Sequence, residues 1–81
     1  MYDLPDDICF LSLLHNIGAT SPHKSLTAEE ISQWAVMDHD KVIENLSKLA
    51  DENYVKVHIS EGVPKYYVTV EGIRKVLSIY S

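Results

Sequence analysis

The chain has a single cysteine, Cys9, so no internal disulfide framework can hold it together, and a reducing cytoplasm suits it. No apolar run approaches the roughly 18–20 residues of a membrane-spanning helix, which excludes a spanning segment of that kind. The opening residues, Met1-Tyr2-Asp3-Leu4-Pro5-Asp6-Asp7, are acidic where a secretory signal is basic. Glycine and proline are sparse, three of each, and no linker, repeat or low-complexity tract divides the 81 residues. One small domain, 1–81, is the expectation, because 9.2 kDa supports one hydrophobic core. There is no glycine-rich phosphate loop, no nucleophile elbow and no carboxylate pair with a reason to share a cleft. His15, His23, His39 and His58 lack metal-ligand spacing. The reading is therefore of a protein that is not an enzyme and has no cofactor or metal.

Positive charge is also scarce. Seven Lys and Arg against twelve Asp and Glu leave −5, the wrong sign for a protein that simply coats nucleic acid. The excess is uneven. Residues 1–20 carry Asp3, Asp6 and Asp7 and no base, whereas residues 51–81 balance Lys56, Lys65, Arg74 and Lys75 against Asp51, Glu52, Glu61 and Glu71. Any basic surface is local.

What is present is apolar periodicity. A helix over 6–18 starts after Pro5 and stops at Gly18. Ile8, Cys9, Phe10, Leu11, Leu13, Leu14 and Ile17 cover most of its circumference, with Ser12, His15 and Asn16 as a polar stripe. So apolar a helix needs partners on two sides, and another subunit is one expected partner. A second helix spans 27–37. It opens with the capping box Thr27-Ala28-Glu29-Glu30 and turns Ile31, Trp34 and Ala35 inward. Asp38 caps a third helix over 38–53, with Val42, Leu46, Leu49 and Ala50 inward and Lys41, Glu44, Asn45 and Lys48 outward. Two helices joined this tightly read as a helix-turn-helix. Cys9 and Trp34 are expected in the core.

The period then changes to two. Val55, Val57 and Ile59 alternate with Lys56, His58 and Ser60; Glu61-Gly62-Val63-Pro64 supplies a turn; Tyr66, Val68 and Val70 continue the inward face. A hairpin over 54–70 follows, then a helix over 71–80 with Ile73, Val76, Leu77 and Tyr80 on one face. The segment from Pro22 to Leu26 is placed to add a short third strand.

This order, with Leu26-Thr27-Ala28-Glu29-Glu30-Ile31, Val42-x-x-x-Leu46-x-x-Leu49, Tyr54-Val55 and Tyr67-x-Thr69-x-x-Gly72, resembles the winged helix-turn-helix regulators of the MarR, ArsR and PadR type. The resemblance spans roughly residues 6 to 80. It implies an α+β winged helix-turn-helix: a three-helix core, a β-hairpin wing and a final helix. It also implies a cytoplasmic transcriptional regulator that binds double-stranded DNA. Its third helix would meet the major groove through His39, Asp40, Lys41, Ile43, Glu44 and Lys48, with Asn45 as an amide reader. Its wing would contribute Lys56, His58 and Lys65, and Thr27 would meet a phosphate at the second helix's N-terminus. A homodimer through the first and last helices, with Phe10, Leu13, Ile17 and Ile79 at the interface, would present two third helices to one site. The alternative is a winged-helix module that binds protein within a larger assembly. The acidic balance, Ile43 and the sparse basic residues motivate it, with Asp38, Asp40 and Glu44 placed to repel phosphates.

Overall fold

Pro5 sets the start of the first element in the computed structural model, which describes residues 5–79. The acidic reading of residues 1–4 and the placement of Tyr80 fall outside that range. Helix α1 runs Asp6–Asn16, with Asp6 and Asp7 in the first turn, where the helix dipole favours negative charge. It ends two residues before Gly18, whose φ of +88° is left-handed. Because α1 packs on later helices on two sides, Ile8, Phe10, Leu11, Leu14 and also Ser12 are buried. Its open strip contains Cys9, which is exposed, so the polar stripe and the core cysteine both differ from the sequence pattern.

A 3₁₀ turn at Pro22–Lys24 leads to Leu26, whose backbone exchanges two hydrogen bonds with Tyr66, at 3.0 and 2.7 Å. The expected third strand is therefore this one bridge. Helix α2, Ala28–Ala35, opens with the capping box complete. The Glu30 N–H donates to Thr27 Oγ1 at 3.0 Å, and the Thr27 N–H donates to Glu30 Oε1 at 2.9 Å. Ile31 is fully buried, but Trp34 is 61% exposed. Trp34 sits at the edge of the α2 stripe, about 60° round the helix from Ile31, by the roughly 100° per residue of an α-helix.

Val36 then adopts φ 51°, ψ 55°, and turns the chain into α3, His39–Asp51. A β-branched residue in the left-handed region is strained by about 1–2 kcal/mol. Its side chain, 91% exposed, gains nothing from packing. Val36→Gly is expected to raise stability by about 0.5–1 kcal/mol after the opposing chain-entropy cost of glycine. The urea midpoint at unchanged m-value is the measure, and a lower midpoint would show the turn to be unstrained.

In α3, Val42, Leu46 and Leu49 join the core, while Ala50 is exposed. Asp38 occupies the N-cap position without a side-chain hydrogen bond. Strands β1, Val55–Ser60, and β2, Val63–Val68, pair antiparallel around a two-residue turn. Glu61 and Gly62 both have positive φ, 52° and 78°, the primed geometry that matches strand twist. Val63 and Pro64, read from sequence as turn residues, lie in β2 opposite Ser60 and Ile59. The base of the hairpin supplies its buried residues, and Tyr66, farther along β2, packs against the core from its partly buried position. Val55 and Val68 are buried, whereas Val57, Ile59 and Val70 are exposed.

Helix α4, Val70–Ile79, returns across α1 and buries Gly72 and Val76; Leu77, on its other side, is exposed. Thr69 anchors its start. The Thr69 hydroxyl donates to the Asn53 carbonyl at 2.7 Å and accepts from the Gly72 N–H at 3.0 Å. The core thus gathers Phe10, Leu11, Leu14, Ile31, Val42, Leu46, Leu49, Val55, Val68 and Val76 from all four helices and both strands.

Candidate nucleic-acid interface

Helical spacing of about 100° per residue sorts the exposed residues of α3 into three strips. One is apolar or small: Ile43, Ser47 and Ala50. The next is acidic: Asp40, Glu44 and Asp51. The third holds Lys41 and Lys48. Lys48 Nζ lies 3.7 Å from Glu44 Oε1, one turn away, with both side chains more than half exposed. Such a pair adds little stability, and it places a positive charge beside the Glu44 carboxylate. Lys41 is exposed and stands between two shallow grooves, one lined by Asp6, Cys9 and Leu13 of α1 and the other by Asp38, His39 and Glu44. His39 is exposed at the first turn.

Asn45 differs from its expected outward placement. It is 4% exposed, and its Nδ2 approaches Met37 Sδ at 3.7 Å, a weak hydrogen bond. Its position borders the apolar stripe, and the helix-turn-helix turn folds Met37 over it. A carboxamide held there does not reach a base edge.

The wing is more coherent. In the antiparallel register Lys56 faces Tyr67 and His58 faces Lys65, and all four share one face by strand alternation. Lys56 and Lys65 are diagonal neighbours, roughly 7–8 Å apart by such geometry. Among the described residues the ion pairs are Lys48–Glu44 and Arg74–Glu71, so neither Lys56 nor Lys65 makes one, although Glu71 borders the same shallow depression as Lys56 and Tyr67. Tyr67 adds a half-buried aromatic ring to this basic face. The sequence places Tyr67 in the Tyr67-x-Thr69-x-x-Gly72 pattern without marking it as a DNA contact, although the parity that sends Tyr66 inward already sends Tyr67 outward.

The remaining candidates scatter. Thr27 stands at the start of α2 with its amide taken by Glu30, and Glu29 and Glu30 lie exposed beside it. Of the expected subunit contacts, Phe10 is 2% exposed within the core and Ile17 packs against that core. Leu13 and Ile79 are partly exposed, and Val70 and Leu77 add apolar surface at 63% and 54% exposure on α4. Among the described residues no group of three His, Cys, Asp or Glu could hold a metal ion, and no helix is long and apolar enough to cross a membrane.

No protein-family model and no curated protein matches the chain. Solved structures do. Over 98% of this chain and 99% of the other, it is similar to the DNA-binding TubR fragment from Clostridium botulinum, at 25% identity and a TM-score of 0.81. It is also similar to a MarR family protein from Bacillus stearothermophilus, at 16% identity and a TM-score of 0.76. Here 99% of this chain spans 53% of the other. The α+β winged-helix fold expected from the sequence is the fold observed.

Proposed function

We propose that this chain is a DNA-binding transcriptional regulator of the cytoplasm, acting as a homodimer that sets α3 and the basic wing face against duplex DNA. The observation that carries this reading is the end-to-end likeness to the DNA-binding TubR fragment. The wing supports it physically. Lys56, His58 and Lys65 on one strand face match a phosphate backbone, and their contacts release counterions. The net charge of −5 keeps indiscriminate coating weak, so binding rests on this local face. Apolar surface at Leu13, Ile17, Ile79 and Leu77 is offered for the second subunit, which would place two copies of α3 about one helical turn of DNA apart. The function is binding, with no reaction assigned.

Fluorescence anisotropy with a labelled duplex, over a salt series, tests the reading. Affinity is expected at low salt and should fall linearly in log–log form as salt rises. Lys65→Glu and Lys41→Glu should each weaken binding and flatten the salt slope by about one, with the melting temperature unchanged. Absence of binding at low salt, or indifference to salt, would overturn the proposal. A sedimentation mass of one chain rather than two would remove the dimer alone.

The acidic strip Asp40–Glu44–Asp51 favours a second reading, a winged-helix module that binds a basic protein surface. That reading expects the duplex titration to stay flat at every salt concentration.

A further inference from the structure

The exposed surface of α3 carries no Arg, Asn or Gln, and this restricts what the helix can recognise. Arg and Lys pair with guanine O6 and N7, and Asn and Gln with adenine N6 and N7. No Arg or Gln occurs in α3, Asn45 is buried, Lys48 lies 3.7 Å from Glu44, and Lys41 stands beside Lys48 at the flank of the outward face. Two features remain on the outward surface, Ile43 at its margin and Glu44 nearer its middle. Ile43 is a branched alkyl group 36% exposed, and the adjacent Glu44 is a carboxylate 3.7 Å from the Lys48 ammonium group.

Resting on the DNA-binding reading above, we propose that α3 reads a pyrimidine-rich strand. Ile43 packs against the 5-methyl group of thymine, and Glu44 accepts a hydrogen bond from the 4-amino group of cytosine. These are the major-groove features that an apolar side chain and a carboxylate complement. Lys48 is a positioning residue. Its ammonium offsets the repulsion between Glu44 and the phosphates that would otherwise keep an acid out of the groove.

Selection from a random duplex pool tests this, with the wild type, Glu44→Gln and Ile43→Ala in parallel. The wild type should enrich adjacent cytosine and thymine on one strand. Glu44→Gln should exchange cytosine for adenine at one position, because a carboxamide spans adenine N6 and N7, with a preference of about tenfold. On the wild-type site, replacing thymine by deoxyuridine should weaken wild-type binding severalfold and leave Ile43→Ala unaffected. Both side chains are on the surface, so circular dichroism should show both variants folded. If the variants select the wild-type site, or if no sequence is enriched while salt-dependent binding persists, the pyrimidine reading fails and DNA binding stands. If the wild type binds no duplex, both fall.

Discussion

Gly72→Ala is expected to lower stability by about 3 kcal/mol, the upper range of overpacking costs. A Cβ at this position would lie 2.3 Å from the Tyr54 carbonyl oxygen and 2.6 Å from Val68 Cγ1. Neither can easily yield. The Tyr54 carbonyl already accepts the Thr69 N–H at 2.9 Å, and Val68 is fully buried at the foot of the wing. Relief therefore requires α4 to lift from the hairpin, which would loosen Val76 from the core and disturb the bond from the Gly72 N–H to Thr69. In a chain of this size the melting temperature should fall on the order of 15 °C. A calorimetric scan showing less than a few degrees of change would mean that α4 does not approach the end of α3 so closely.

The same position shows how much of the structure is legible in the sequence. Tyr67-x-Thr69-x-x-Gly72 stood out as a pattern, yet its reason is three-dimensional. Threonine ties α4 to Asn53, and glycine admits a carbonyl where a methyl group would sit. Element order was legible because hydrophobic spacing changes from helical to alternating at Tyr54 and back again near Val70. The extent of burial was not. Alternation gives Val55, Val57 and Ile59 one face, but only Val55 has a core beneath it, and the hairpin carries the others past the helices. Helical spacing misplaces residues at the margins of a stripe for the same reason. Asn45 is covered by Met37, Trp34 is covered by nothing comparable, and Phe10 is enclosed by the three-helix core rather than left for a second subunit. The basic face of the wing was the legible part of the site, since parity alone groups Lys56, His58 and Lys65.

Leu46→Ala is expected to cost about 2–5 kcal/mol, the range for truncating a buried leucine and leaving a cavity. Leu46 is 2% exposed and packs in the cluster that joins α1, α2 and α3. Total stability for a domain is about 5–15 kcal/mol, so the variant should be partly unfolded at moderate temperature. Ile43→Ala, less than one turn away, supplies the contrast. Ile43 is 36% exposed, so its truncation should change stability by about 0.5 kcal/mol, and alanine's helix propensity offsets part of that. Urea denaturation of the two variants thus measures the rotation of α3 about its axis. Equal losses would mean that α3 is turned away from the arrangement described. A large loss at Leu46 with almost none at Ile43 fixes Ile43 on the outer surface. Any change that Ile43→Ala then makes in DNA preference belongs to a contact rather than to a loosened fold.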